Sequence, residues 1–304
     1  MSNNSPLVTV ILPVYNGEKT LKETLESLLQ QTFADFELLV GIDGSKDGSK
    51  NIAETFNDER IQIFENLVNI GLGPNVNKLI SLANSSSKYI AMAEQDDVYV
   101  PERLEWQLEV MSNHPEVGLV SGIAEFMGDG GTVLFPGILV DGKQFPQGKA
   151  LFTYLYEQQL KVVNTCIFWR KEVHQTKQLG FKNTYGNFNA DWDFVLRFSL
   201  VSQVYGIPKV LVHMNRKKQH GSVTTNKATQ HQASRQLLKD FKAEFTELVS
   251  DTLYKKALKQ HRKIELGHHS KFGIVLYGLY YTLYYSDSYF LKYIVQRFKI
   301  YLNG

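Results

Sequence analysis

The stretch "YIAMAEQDDVYV", residues 89–100, sets three carboxylates, Glu94, Asp96 and Asp97, directly after an apolar, strand-like run. A carboxylate delivered by a buried strand is costly unless it is paired, hydrogen-bonded or bound to a metal. Hard oxygen donors this close together suit Mg2+ or Mn2+, ions that commonly bridge one or two protein carboxylates to substrate phosphates. A diphosphate would complete such a site. A plainer reading has the two aspartates complementing the dipole of a helix that begins near Pro101. A second acidic turn, "DGSKDGS", places Asp43 after another apolar run, "FELLVGI". Acids at two strand ends favour a shared site over a helix cap.

Those turns need a frame. The run "LVTVILPVY" is apolar and β-branched and breaks at "NGEKT", as a doubly buried strand feeding a helix would. Thr20 and Glu23 spell a capping box, and Leu21, Leu25, Leu28 and Leu29 share one helical face. "FELLVGI" is a second strand, followed by a turn and a helix start; "IQIFE" is a third. "NIGLGPNVNKLISLAN" reads as a helix with a Gly-Pro start and apolar positions at Leu79, Ile80 and Ala83, and "YIAMA" as the fourth strand. This alternation predicts an α/β fold, a Rossmann-like, mostly parallel sheet flanked by helices, with ligands bound beyond the carboxyl ends of the strands. Beyond a helix "PERLEWQLEVM" opened by Pro101, "GLVSGIAEFM" and "VVNTCIFW" read as strands. Between them, Gly128 to Gly148 reads as a long loop placed to cover the crevice.

Composition narrows the function classes. With 43% hydrophobic and 21% charged residues in 304, the chain is an ordinary globular protein able to bury a core. Thirty-three basic against thirty-one acidic residues leave no global field to recruit nucleic acid. The single cysteine, Cys166, rules out an internal disulfide and a thiolate metal cluster. The start "MSNNSPLVTV" lacks a basic n-region and an apolar h-region, so a cytoplasmic protein is expected. Of the G-x-G-x-x-G needed by an NAD-dependent dehydrogenase after the first strand, only Gly17 is present. The same turn also lacks the glycine-rich, arginine-bearing loop expected of a sugar nucleotidyltransferase.

From about Lys227 the chain is polar and helix-forming, and from Lys271 it is rich in tyrosine and lysine, which divides it into residues 1–226 and a helical C-terminal region, 227–304. The uncharged run from Phe272 to Tyr285 is short of the ~20 residues that span a bilayer. Tyrosines flanked by Lys271, Lys292, Arg297 and Lys299 suit peripheral contact with the inner face of a membrane, and packing on the catalytic domain or a homo-oligomer contact is the alternative.

Taken in order, "VTVILPVYNGEKTLKETLESLLQQTFADFELLVGIDGSKDGS", "NIGLGPNVNKLISLA", "YIAMAEQDD" and "NADWDFVLRFS" resemble a family 2 glycosyltransferase of the GT-A fold, from about Val8 to Thr224. The resemblance implies a nucleotide-diphospho-sugar donor, a divalent metal (Mn2+ or Mg2+) and inversion at the anomeric carbon. It implies that Pro13 and Tyr15 line the base and ribose pocket, that Asn77 borders it, and that Asp43 accepts from the imide N–H of uracil or thymine. A carboxylate only accepts, so it favours a base presenting a donor there. Glu94, Gln95 and Asp96 occupy the family's D-x-D positions, with Asp96 as metal ligand and Asp97 beside it. Asp191 stands at the catalytic base, Lys218 at the diphosphate, and His220 at the metal or phosphate. The acceptor implied is a glycan or lipid-linked glycan in surface polysaccharide synthesis. Three positions depart from the pattern: Ile42 and Ala190 replace acids, and Glu94 is one methylene longer. These departures motivate the alternative of a nucleotide-binding module without catalysis. Plainer roles are open too: Asp43 starting a turn, Asp191 and Asp193 as solvated helix acids, His220 as a surface residue, and Trp192 as packing or acceptor contact.

Overall fold

The computed structural model describes residues 5–128, 131–135, 139–140, 143–159, 162–215 and 227–303. The chain forms two compact units, Met1–Phe152 with Leu160–Val223, and Thr153–Gln159 with Thr224–Gly304.

In the first unit, β1 (Val8–Val14) and β2 (Phe36–Asp43) are buried along their whole length. That is the pattern of parallel strands covered on both faces. With β3 (Ile61–Asn66) and β4 (Tyr89–Met92) they make a parallel half-sheet in the order β3-β2-β1-β4. The connections carry α1 (Leu21–Leu29), α2 (Ser49–Glu54) and α3 (Leu72–Leu82). Short β5 (Asp97–Tyr99) leads into α4 (Arg103–Asn113), then β6 (Val117–Gly128), β7 (Gly131–Phe135), β8 (Leu139–Val140), β9 (Lys143–Gln144) and α5 (Lys149–Gln158). Next come β10 (Phe168–Arg170), α6 (Lys171–Thr176), β11 (Thr184–Asn187), α7 (Ala190–Ser199) and β12 (Gln203–Asn215). Here the sheet becomes mixed. β10 lies antiparallel to both β4 and β6, and β12 runs parallel to β6 and antiparallel to β5.

Several local expectations change. Thr20 makes no side-chain cap; its hydroxyl donates to Gly17 O at 3.4 Å instead, and α1 is held by buried Leu21, Leu25 and Leu28. Pro74 falls in the first turn of α3, where a missing N–H removes no helical bond. "VVNTCIFW" is not one strand: Asn164–Cys166 forms a 3-10 turn before β10, and the Asn164 and Thr165 side chains reach the acid turn. Within the glycine-bearing stretch, Gly131–Phe135 folds back on β6 as an antiparallel partner rather than a loop over the crevice. The connecting residue Gly131 has φ of 108°, a conformation that favours glycine.

The second unit holds α8 (Lys227–Glu244), α9 (Asp251–Leu266), α10 (Lys271–Tyr285) and α11 (Tyr289–Asn303). Ser250 and Ser270 cap α9 and α10, each accepting at 3.2 Å from the N–H three residues on. A small core of Leu266, Tyr281 and Phe290 ties the last three helices together. Gly278 lets α10 and α11 approach, since a Cβ there would meet Ile294 Cδ1 at 2.6 Å. Among the described residues, no helix is long and apolar enough to cross a membrane.

Candidate active site

The strand order reverses between β1 and β4, and the two strands pair only as far as Ile11 and Met92. Beyond that point β1 continues beside β2 alone, with Pro13 opposite Gly41. The split at the carboxyl ends is where open α/β sheets bind ligands. Gln95 crosses it. Its Oε1 accepts from Tyr15 N–H at 2.8 Å, and its Nε2 donates to Tyr15 O at 3.0 Å. The Gln95 carboxamide therefore holds the loop after β1, while the Tyr15 side chain stands about half exposed over the opening. From below, the Thr24 hydroxyl of α1 sits 2.9 Å from Gln95 O and 2.8 Å from Asp97 O.

The acids on this turn converge: Glu94, Asp96 and Asp97 can each place one oxygen within 4.8 Å of the others. Among the described residues the cluster is three hard carboxylates, a donor set that fits Mg2+ or Mn2+. Glu94 Oε1 accepts from Asn164 Nδ2 at 2.7 Å, and Glu94 N–H donates to the Tyr99 hydroxyl at 2.7 Å. That hydroxyl also meets Thr165 Oγ1. Beneath lies a fully buried cation, Arg103, stacked over the Tyr99 ring at 4.4 Å and donating to Met92 O at 2.6 Å. Burial first, then the Asp97 charge, lifts the Tyr99 hydroxyl pKa well above its ordinary value, against the pull of Arg103. Burial likewise pushes the Cys166 thiol up, so it stays protonated and inert. The helix-cap reading fails, because Asp97 belongs to β5, paired with Met214, and the first-turn acid of α4 is Glu105.

Asp43 ends β2 at 3% exposure. Its Oδ1 accepts from Asn66 Nδ2 and from Ile70 N–H, each at 2.9 Å, and its Oδ2 from Gly71 N–H at 3.0 Å. The carboxylate thus shapes the loop from Asn66 to Gly71, and one lone pair on Oδ2 is left over by these bonds. Asn75 joins this network, donating to Gly41 O at 2.9 Å and accepting from Asn66 at 3.1 Å. Asn77 does not. Two positions on, it points to another side of α3, where it donates to Phe181 O at 2.8 Å and accepts from Phe181 N–H at 2.9 Å.

That clasp leads to the second acid centre. Asn187 accepts from Leu72 N–H at 3.0 Å, so the N-terminus of α3 also holds the chain just before α7. Phe194 of α7 stacks on Phe181 at 4.3 Å and meets Trp169 of β10 edge-on at 5.5 Å. Since β10 pairs with β4, α7 and the acid turn share one frame. Asp191 sits in the first turn of α7, part-buried, with Oδ1 accepting from Trp192 N–H at 2.8 Å. Burial lifts its carboxyl pKa above the ordinary range, partly offset by that N–H and its own. Asp193 is a structural acid, 2% exposed and paired with Arg197 at 2.9 Å. Trp192, also 2% exposed, packs in the core. Lys218 and His220 lie outside the described residues. Asn66, Asn75, Arg103, Asn164 and Thr165 escaped the sequence reading; Asn164, for example, donates to Glu94, 70 positions away, and no local pattern marks it.

A mixed sheet with helices on its faces and an acid turn at the strand split is the arrangement of a GT-A-type fold. The family model for glycosyl transferase family 2 matches residues 9–175, and the chain belongs to that family. An uncharacterised glycosyltransferase of Rickettsia prowazekii, RP339, is 28% identical over 226 residues, 74% of this chain and 67% of its own. The Escherichia coli UDP-Glc:alpha-D-GlcNAc-diphosphoundecaprenol beta-1,3-glucosyltransferase WfgD is 35% identical over 105 residues, 34% of this chain and 41% of its own. Among solved structures, the mannosyltransferase PcManGT from Pyrobaculum calidifontis, in complex with GDP-Man and Mn2+, has the same fold, with a TM-score of 0.57 at 15% identity, covering 95% of this chain and 83% of that one. The first two curated relatives are matched over 67% and 54% of their own length.

Proposed function

We propose that this glycosyltransferase moves a sugar from a UDP- or dTDP-sugar to a hydroxyl of a glycan or lipid-linked glycan, with inversion, in surface polysaccharide synthesis. The observation that carries the reading is the convergence of Glu94, Asp96 and Asp97 at the β1–β4 split. Asp96 and Asp97, with Glu94 oriented by Asn164, would hold the divalent ion. When bound, that ion supplies positive charge against the departing nucleoside diphosphate. The Mn2+ in the PcManGT complex supports a metal of this kind, and the acceptor in the WfgD name supports a lipid-linked one. Asp43 reads the base with its remaining acceptor position, and Tyr15 covers base and ribose beside Pro13.

Asp191 acts as base. It takes the proton of the acceptor hydroxyl, whose oxygen bonds to the anomeric carbon as the bond from that carbon to the diphosphate oxygen breaks on the opposite face. A pKa above the ordinary carboxylate range makes a stronger base, and general-base catalysis contributes roughly 10²- to 10⁴-fold. In this reading residues 1–226 carry the transfer chemistry, Lys218 and His220 contribute at the diphosphate and metal, and 227–304 serves acceptor or membrane contact.

The test is nucleotide release from a panel of UDP- and dTDP-sugars with saccharide and lipid-linked acceptors. Release stops on chelation and returns with Mn2+ or Mg2+, and Asp191→Asn lowers turnover by about 10²- to 10⁴-fold. Undiminished turnover in Asp191→Asn overturns the base assignment; nucleotide binding without release from any donor indicates a module that only binds.

A further inference from the structure

Helix α10 contains no charged residue after Lys271, and only one side of it is used by the fold. Gly273, Ile274, Gly278 and Tyr281 are buried. Phe272, Leu276, Leu279, Tyr280 and Leu283 stand 48% to 82% exposed. At 100° per residue these five fall within about a quarter-turn of one another. Helix α11 repeats the arrangement, with Phe290 and Ile294 buried and Leu291, Val295 and Phe298 exposed between 44% and 51%. Lys292 and Lys299, both exposed, border that second stripe along one side.

We propose that the α10–α11 hairpin is an interfacial anchor that lies on an anionic phospholipid surface. Charge selects this occupant. Among the described residues from Lys271 onward, the single acid is Asp287, already engaged by Lys259 at 3.2 Å and Lys263 at 3.1 Å. A second copy docked face to face would bring cations against cations with no acid to pair them, whereas lipid phosphates supply the missing sign. Geometry excludes spanning: the 15 residues of α10 extend about 22 Å, less than the ~30 Å hydrocarbon core. A helix lying flat needs only one apolar side, sunk ~5–10 Å, with tyrosines and lysines at headgroup level. The exposed tyrosines Tyr277, Tyr280, Tyr284 and Tyr289 meet that requirement.

The proposal rests on these two helices and is independent of the donor chemistry, so the readout is binding. Full-length protein is floated with vesicles of phosphatidylcholine alone or mixed with phosphatidylglycerol, and soluble-acceptor turnover and oligomeric state are recorded alongside. The chain should float with the anionic vesicles, less with the neutral ones, and release at high salt. Lys292→Glu with Lys299→Glu should weaken anionic binding by roughly tenfold or more. Leu276→Ser with Leu283→Ser should abolish it while leaving melting temperature and soluble-acceptor turnover unchanged. A chain that ignores both vesicles, or whose Leu276→Ser/Leu283→Ser variant still floats, overturns the proposal, as does a dimer dispersed by that variant.

Discussion

Asp191 is held in the fold against its own ionisation: burial raises its pKa, so at neutral pH the folded protein carries a carboxylate that would be better solvated in the unfolded chain. A raised folded pKa means that stability from this group is present below the unfolded value and lost as pH rises through the folded one. Asp191→Asn should therefore melt no lower than the wild type at pH 7 even as turnover collapses, and a large drop in melting temperature would mark a structural acid instead. The base must also be deprotonated to work. The acid limb of kcat/KM should lie above the ordinary carboxylate range and vanish in the variant. Asp193, two positions on, illustrates the contrast: its Arg197 partner gives it a structural task. From sequence, both acids look alike on one helix, because their difference is the burial and pairing that the rest of the chain imposes.

At the scale of elements, Gln95 ties the loop after β1 across the split between β1 and β4. Gln95 bonds both the N–H and the C=O of Tyr15, and the space it fills is open because Gly17 has no Cβ, which would meet Gln95 Oε1 at 2.7 Å. Gln95→Ala should loosen the loop after β1 and raise KM for the donor by about tenfold, the loss expected from a hydrogen-bonded positioning contact or two, with a smaller change in kcat. An unchanged donor KM would show that the loop is held by its other bonds, Asn16 and Gly17 N–H to Ser45 and Ser49. The strands and helices that build this split are legible in the sequence, since buried parallel strands read as continuous apolar runs. The Asn164–Cys166 turn is not: "VVNTC" looks like strand, and the partners that hold the bend, Glu94, Tyr99 and Gln107, are distant in sequence.

For the molecule as a whole, the helical unit carries its own pH dependence. His231 and His261 are both held down to about 4, chiefly by burial, from an ordinary 6.5. The groups facing them are His268, 2.9 Å from His231, with Glu265, Arg235, Arg262 and Lys227 around them. A depressed folded pKa gives stability that is complete above the unfolded value and lost as pH falls through the folded one. Amide protection in α8 and α9 of the full chain, corrected for intrinsic exchange, should fall as pH drops from 6.5 toward 4. Protection that stays level across that window would mean the histidines are already solvated. None of this is readable from eight histidines scattered in a polar sequence.

The apolar runs and their punctuation by glycine and aspartate were enough to indicate an α/β fold with acids at two strand ends, because strand burial and turn chemistry are written over a few neighbouring residues, and the resemblance of the ordered motifs to family 2 glycosyltransferases pointed to the class. What each polar group does was decided only by the tertiary structure. Folding commits Gln95 to a backbone, Asn77 to Phe181, and most of Asp43 to the loop from Asn66 to Gly71. It leaves Glu94, Asp96 and Asp97 converging on one point. The physical reason is that hydrogen bonds and ion pairs act over about 3 Å. A side chain's role therefore depends on which distant residues arrive within that distance, and local patterning carries no record of it.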